Sequence, residues 1–563
     1  MLTLFLLGSD ILHDSLWNKG TGFTEYERSH LGLRGLLPPA YRDLEQQKKR
    51  VLRHLDTETT NEKKNLYLQD LQARNETLYF RVLVDHIEKM APLVYTPTVG
   101  YVCQQFGNQF RRPRGMYFSK YDVGHMSSIV KNWPHNDVHV IVVTDGSRIL
   151  GLGDLGVNGM GIPIGKLALY CAAGGIAPHR VLPITLDVGT NTEKLLQDED
   201  YLGIKEKRLT GQAYYDFVDE FMAAVFSRWP NVIVQFEDFE STKAVGTLER
   251  YRHHYRMFND DIQGTGSVTL SGVMSAVKIT NQNLKDIRVL CAGAGSAGLG
   301  VCDQIVEGMM EAGLTREEAM SRFVICDSKG AIGKFDGKNG NPHQTRKLKD
   351  YQEPWVNNSV SDGTSLANTI LDFKPNLLLG LSTIYNLFGE TVLRNMGKVN
   401  KRPIIMPMSN PTSKCECTPE EAYRYTDGRA VVATGSPFDP VTMPDGKVFI
   451  PSQCNNMYIF PGIGLAASIS GVSRITNKML YKAAEACNDT MTQAEKDEGR
   501  TFPNIKRIRE VAKNVAIAVI EQGFEEDLIT KISQKDRKGL EKLVERKMYF
   551  PEYYPLFSAR NEH

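Results

Sequence analysis

The sequence predicts an α/β protein with a helical N-terminal domain and a helical C-terminal tail. Three observations carry that prediction. Short apolar, β-branched runs recur through the middle of the chain, at Val138–Val143, Val232–Phe236, Ile287–Cys291 and beyond, and each stops at small, polar or acidic residues. Amphipathic helical stretches such as Tyr214–Trp229 separate them. Charged, helix-periodic segments are concentrated before Asp85 and after Gly471.

The 563 residues suffice for about two to four domains with full hydrophobic cores. A net charge of +1 gives no global field for nucleic acid or an anionic membrane, so no partner of either class is expected. Nine scattered Cys, with Cys415 and Cys417 the one close pair, fit a reducing compartment rather than a disulfide or zinc framework. The opening MLTLFLLGSDILHD lacks a basic leader, and its apolar run is far shorter than the roughly 20 residues of a membrane span, so it is expected to pack into the fold. The expected location is cytoplasmic, with a processed mitochondrial matrix form as the alternative.

From Leu36 to about Asp85, Leu66, Leu68, Leu71, Leu78 and Val82 form the buried stripe of a helical domain; the charge run Gln46–Arg53 reads first as a solvated helix face. Pro92 and Pro97 flank Tyr95 in VYTPTVG, which predicts a stiff, extended backbone around that phenol. A positioned Tyr can serve as a general acid, and it can equally pack a core.

The run Val138–Val143 ends in TDGSRILGLGDLGVNGMGIPIGK, a glycine-rich exit of the kind that open α/β sheets place at ligand crevices. Within it GLGDLG matches a dinucleotide pattern, but Asp154 would face a pyrophosphate with like charge, so it is rejected as a cofactor loop. Lys166 sits near the start of an apolar helix, where the helix dipole disfavours it; partial burial beside other cations is expected to lower its pKa toward that of a usable base.

The strand Val232–Phe236 ends on Glu237 and Asp238, and Asp260 and Asp261 open DDIQGTG, where Gly264 and Gly266 leave room for a ligand. Acids clustered without a cationic partner suggest a hard divalent cation, Mg²⁺, Mn²⁺ or Ca²⁺ rather than Zn²⁺. The same acids also fit a solvated loop and a helix cap.

The strand Ile287–Cys291, the turn GAGSAG (Gly293, Ala294, Gly295, Ser296, Ala297, Gly298) and a following helix form a Rossmann-type dinucleotide-binding unit. The next strand ends at Asp327, where an acid receives a ribose hydroxyl; the gap is about ten residues longer than the usual spacing of roughly 20. KPNLLLGLST, RPIIMPMSNPT and RAVVATGSPF read as later strands of one parallel sheet. Asn410 and the pair Asn455 and Asn456 fall in exit loops, either as carboxylate-binding amides or as turn residues. The C-terminal KDRKGLEKLVERKMYFPEYYPL reads as an exposed helix and tail.

With LGLRGLLPP, RNETLYFRVL, VYTPTVG, VQFEDF, MFNDDIQGT, GAGSAG, MSNPT and NNMYIFPG in place, the chain resembles the malic enzymes over nearly its whole length. The resemblance implies oxidative decarboxylation of L-malate to pyruvate and CO₂ with reduction of NAD or NADP. It implies Lys166 as general base, Tyr95 as general acid, and Glu237, Asp238 and Asp261 as ligands of Mn²⁺ or Mg²⁺ supported by Asp260. Arg148, Asn410, Asn455 and Asn456 would bind malate, with Asn410 also near the cofactor. Asp327 favours NAD. Ser328 and Lys329 resemble the NADP-using members, Gln352 resembles the NAD-using ones, and Arg346, Lys347 and Lys349 add positive charge, which tips the reading to NADP. Arg50 and Arg74 match an allosteric dicarboxylate site of some members, although Arg42 stands where activated enzymes carry an acid. A homodimer or homotetramer is expected. Malolactic decarboxylation and a catalytically silent dinucleotide sensor are the competing readings. The expected division is a helical domain 1–113, a second α/β substrate and metal domain 114–259 completed by 456–525, a Rossmann-like domain 260–455, and a C-terminal helix and tail 526–563.

Overall fold

The computed structural model describes residues 7–334 and 347–557. Arg346 and the two chain ends lie outside the described residues. Two parallel sheets organise the chain. The first contains β1 (Met116–Ser119), β2 (Val140–Thr144), β3 (Val181–Asp187), β4 (Ile233–Phe236) and β5 (Met257–Asn259), in the order β1-β3-β2-β4-β5. Its alternate residues enter different cores, as the period of two along a strand requires. Ile141, Val143, Ile184 and Val234 pack with Phe217 and Phe221 of the helix Gly211–Arg228, whereas Val140, Val142 and Ile233 face the large central core. Both faces are covered, so these strands read as continuous apolar runs.

The second sheet begins with β6 (Val289–Ala292), β7 (Phe323–Asp327) and β8 (Gly330–Ala331). A small pair, β9 (Gly333–Lys334) and β10 (Asn357–Ser361), follows, then β11 (Leu377–Gly380), β12 (Ile404–Pro407) and β13 (Val431–Thr434). A hairpin of β14 (Val441–Thr442) and β15 (Val448–Phe449) precedes β16 (Ser452–Gln453). The sheet order is β16-β13-β12-β11-β6-β7-β8, parallel except at β8. The chain moves to one side of β6 through β7 and returns on the other through β11. The crevice at the carboxyl ends of β6 and β11 is therefore the topological switch point, where open α/β sheets bind ligands.

The helical N-terminal region buries Leu68, Leu71, Leu78 and Val82, while Leu66 is only half-buried. Its helices start at side-chain caps; Asp43 and Gln46 form a reciprocal capping box before Leu44–Thr57, and Thr60 caps Asn61–Arg74. Lys48 within the charge run pairs with Glu45 and Asp85. At the N-terminus, Ile11 packs with Phe23, Leu31 and Leu33.

Two local expectations change. Pro92 lies inside the helix Ile87–Val94 instead of in extended chain, and Tyr95 is the residue that ends that helix, its N–H donating to Ala91 O. The C-terminal segment is a strap rather than an exposed tail. Leu540 and Val544 enter the central core, Asn75 donates to the Tyr553 hydroxyl at 2.6 Å, and Lys19 donates to Tyr554 O at 2.6 Å.

Candidate active site

The first sheet places the acids. Phe236 of β4 pairs with Asn259 of the neighbouring parallel strand β5, so the chain leaves these strands side by side, as Glu237–Asp238 and as Asp260–Asp261. One carboxylate oxygen each from Glu237, Asp238 and Asp261 lies within 4.8 Å of the others. The Asp238 N–H donates to Asp261 Oδ2 at 2.7 Å, and Gln235 Nε2 donates to Glu237 Oε2 at 2.7 Å. Asp260–Gly264 form a single π-helical turn before the helix Thr265–Ile279, a local irregularity frequent at functional sites.

Asp238 is buried and holds φ at 57°, in the left-handed region that an L-residue occupies at a cost on the order of 1 kcal/mol. Leu150 and Thr383, with φ of 49° and 58°, line the same cavity. Burial and the neighbouring acids push the Glu237 carboxyl well above the carboxylate range. Asp238 is raised by burial and by Asp261, and Asp261 is raised to about 6, chiefly by burial. The buried Asp238 Oδ2 has no hydrogen-bond partner. Three mutually repelling oxygens, one of them unpartnered, are a donor set that fits a hard divalent cation.

Lys166 lies in the middle of the helix Gly161–Ala172 and is 1 % exposed. Its Nζ donates to Asp260 Oδ2 and lies 3.1 Å from Glu237 Oε1. The expectation of cationic neighbours fails here. Burial opposes the ammonium charge, but Asp260 and Glu237 outweigh it and hold the Lys166 pKa well above the lysine range. The acidic clusters accordingly have a cationic partner that the linear sequence did not reveal. The Tyr95 and Phe460 rings flank Nζ, with centroids at 5.2 Å and 4.5 Å. Burial pushes the Tyr95 phenol upward, while Lys166 pulls it down.

A cavity of about 160 Å³ gathers these groups. Its wall includes Tyr95, Lys166, Glu237, Asp238 and Asp261, together with Arg148, Asn410, Asn455 and Asn456. Ser296 and Ala297 of the glycine turn close it from the second sheet. Arg148 is exposed and donates to Ser241 Oγ at 3.0 Å. Asn456 Nδ2 donates to Asp260 Oδ2 at 2.8 Å, which ties the amide to the same acid that holds Lys166. Asn410 Oδ1 accepts from Ser436 Oγ, and Asn455 Oδ1 caps the following turn through Met457 N–H. Thr265, Ser409 and Thr383 also line the cavity and were not singled out from sequence; Ser409 stands directly before Asn410 in MSNPT.

The turn itself leaves β6 at Gly293, whose φ is 136° and where any Cβ would meet Leu381 O at 2.3 Å; at Gly298 a Cβ would meet Gly293 O at 2.0 Å. These two positions require glycine for strand, turn and helix to approach. Gly264 and Gly266 serve differently from the expectation: Asp260 Oδ1 fills the space beside Gly264, and Gly266 packs on Gln304 and Gly300 of the helix Ser296–Glu311. In the rejected motif, Asp154 accepts two bonds from Arg208, at 2.8 and 2.6 Å, and so anchors the loop that carries Arg148.

Asp327 ends β7 with Oδ1 accepting from Lys329 N–H at 2.7 Å, and Ser328 and Lys329 are exposed. Gln352 donates to Ala294 O on the glycine turn at 2.9 Å and accepts from Lys349 N–H at 3.0 Å. Lys347 and Lys349 are exposed. Arg50 and Arg74 do not line the cavity; Arg74 pairs with Asp70, Arg50 is exposed, and both act on the Tyr553 phenol. All nine Cys are buried.

The fold and this cavity define an α/β enzyme in which a dinucleotide-type turn faces a buried lysine and an acid triad across two sheets. Family models described as malic enzyme, N-terminal domain, and malic enzyme, NAD binding domain, match residues 72–252 and 262–524. The NADP-dependent malic enzyme of Dictyostelium discoideum is 45 % identical over 97 % of this chain and 98 % of its own length. The mitochondrial NAD-dependent malic enzyme of Solanum tuberosum is 46 % identical over 97 % and 91 %. The crystal structure of the Entamoeba histolytica malic enzyme shares the fold at 22 % identity, with a TM-score of 0.56 over 92 % of this chain and 91 % of that one. The chain belongs to the malic enzyme family. It is a decarboxylating oxidoreductase that works with NAD or NADP. Among the described residues no helix is long and apolar enough to cross a membrane.

Proposed function

We propose that this enzyme oxidatively decarboxylates L-malate to pyruvate and CO₂ with the help of a divalent cation, Mn²⁺ or Mg²⁺. The observation that carries this reading is the single cavity shared by Lys166, Tyr95, the three acids and the glycine turn. A cation held by Glu237, Asp238 and Asp261 would supply polarisation of the C2 oxygen, and a dinucleotide at the glycine turn would supply the acceptor for the C2 hydride. To act as base, Lys166 Nζ first passes a proton to Asp260 Oδ2, the carboxylate that accepts its hydrogen bond, and the neutral amine then takes the hydroxyl proton. Glu237 belongs both to the acid triad and to Lys166, so a ligand drawing Glu237 away leaves Asp260 as the remaining acid holding the Nζ proton. Tyr95, kept protonated by burial, supplies the proton to C3. Arg148, with its planar fork, holds a substrate carboxylate, and Asn410 and Asn455 supply amides at the cavity wall.

NADP is the favoured dinucleotide. The exposed Lys329 follows Asp327, and the backbone N–H of the exposed Lys349 bonds Gln352, which reaches the glycine turn; these two cations support the NADP reading. We further assign a substrate and metal domain to 114–259 with 456–525, a Rossmann-like domain to 260–455, and association as a dimer or tetramer to the helical region 1–113. The segment 526–563 is assigned as the C-terminal helix and tail, whose described residues strap the N-terminal helices.

The test is reduced-nicotinamide absorbance with L-malate and Mn²⁺, run with NAD and NADP in parallel and with pyruvate assayed. Pyruvate formed with reduced nicotinamide supports the reading. Lactate formed without net nicotinamide change would support malolactic chemistry, and no turnover with either dinucleotide would overturn catalysis.

A further inference from the structure

Glu416 is fully buried, in the segment that follows MSNPT, and neither a motif nor the reaction accounts for it. Among the described residues no Lys or Arg forms an ion pair with it, so burial removes it from water without a counter-charge. Such a group persists only where donors converge on it. They come from two loops. Ser382 N–H and Ser382 Oγ each donate to Glu416 Oε1 at 2.8 Å. Ser409 Oγ donates to the same oxygen at 2.5 Å, and Ser409 N–H reaches Oε2 at 3.3 Å. Ser382 follows β11 and Ser409 follows β12, so one carboxylate joins the exit loops of adjacent strands.

The carboxylate accepts and does not donate, which forces both serine hydroxyls to point their protons at it. Their lone pairs then face outward. Ser409 Oγ accepts from Thr383 N–H at 2.9 Å, and Ser382 Oγ accepts from Ile384 N–H at 3.1 Å. The Glu416 backbone oxygen also accepts from Phe388 N–H at 2.9 Å. These loops are the wall between the two halves of the site. Leu381, Thr383, Ser409 and Asn410 line the cavity, and Leu381 O sits against Gly293 of the dinucleotide turn. Gly380, the last residue of β11, leaves the space that the acid occupies: a Cβ there would meet Glu416 Cδ at 2.6 Å.

We infer that Glu416 is a positioning residue that locks the loops after β11 and β12 together and so fixes the distance between the dinucleotide turn and the substrate amide of Asn410. The inference rests on the reading of the cavity as a malate and dinucleotide site. Glu416 touches neither ligand; it acts through Ser382, Thr383 and Ser409.

The experiment compares wild type with Glu416→Gln, which keeps the volume but sets an amide against inward-pointing donors, and with Gly380→Ala, which keeps the carboxylate and displaces it. Steady-state constants for L-malate and NADP are measured, along with amide hydrogen exchange of segments 381–386 and 408–411 in the unliganded protein. Both variants are expected to raise both KM values roughly tenfold with kcat held within about threefold, and to accelerate exchange in both segments together. A lower Tm with unchanged KM values and unchanged exchange would reduce Glu416 to a structural residue and overturn the inference. If wild type itself fails to turn over L-malate, the functional reading fails, and the exchange of the two segments still decides whether Glu416 locks them. Should one variant fail to fold, the other supplies the same readouts.

Discussion

The backbone N–H of Asp238 donates to Oδ2 of Asp261 at 2.7 Å, joining acids delivered by different strands. This bond holds a candidate cation ligand in place while leaving the Asp238 Oδ2 without a partner. It explains how a pair of carboxylates can face one cavity from separate loops without relying on side-chain packing alone.

Replacing Asp261 tests the triad directly. Asp261→Ala is expected to raise the Mn²⁺ concentration for half-maximal activity by about tenfold or more, and calorimetric titration of Mn²⁺ should show the same loss. In the wild type, the Asp261 pKa of about 6 means that the acid accepts protons as pH falls through that value. Mn²⁺ affinity should therefore decline below about pH 6, and a metal dependence indifferent to the substitution would remove Asp261 from the ligand set.

Lys166→Ala is expected to lower malate turnover by roughly 10²–10⁴, the range for loss of a positioned base. Ammonium or small amines should restore part of that turnover, because the side chain leaves a space lined by Tyr95, Phe460 and two acids. Unchanged turnover would exclude Lys166 as the base.

Glu76 gives a stability prediction away from the site. It is half-buried, with Arg114 nearby, and desolvation raises its pKa from 4.5 to about 7. The folded chain thus binds that proton more tightly than the unfolded chain does. The protonated form is favoured below about pH 4.5, and stability declines as pH rises to about 7, by on the order of 3 kcal/mol. Glu76→Gln should remove this decline, raising Tm at pH 8 relative to wild type but not at pH 4.5. Parallel melting curves across that window are the measurement, and identical pH profiles would refute the assignment.

Cofactor choice is tested at Lys349, which is exposed and joined to the glycine turn through Gln352. Lys349→Ala is expected to raise KM for NADP by roughly fivefold, consistent with loss of one exposed charge contact, while KM for NAD stays within about twofold. Equal effects on the two dinucleotides would show that Lys349 does not read the 2′-phosphate.

Much of the site was legible because the local signals were strong. A β-branched run ending in Glu237–Asp238, a GAGSAG turn after Ile287–Cys291, and asparagines at strand exits are features of short segments. The surroundings of Lys166 were not legible. Its acid partners lie 71 and 94 positions away, as Glu237 and Asp260, and the periodicity of the helix carries no information about them. The misread extended chain at Tyr95 has a similar cause: Pro92 breaks helical propensity locally, but the packed helix Ile87–Val94 accommodates it. β1 and β5 were missed because they are only four and three residues long, and pairing with longer neighbours defines them.

The sequence by itself determined the α/β class and the glycine turn, because residue type and short-range spacing encode those choices; it offered the acids, Lys166 and Tyr95 as candidates, with their roles implied by the family resemblance. Only the tertiary structure decided that β4 and β5 run side by side, that Lys166 is neutralised by Asp260 and Glu237, that the C-terminal segment straps the N-terminal helices, and that Glu416 gathers two loops. Each of these depends on which distant segments become neighbours. Burial then strengthens the interactions between their charges and donors, a selection that no local pattern along the chain records.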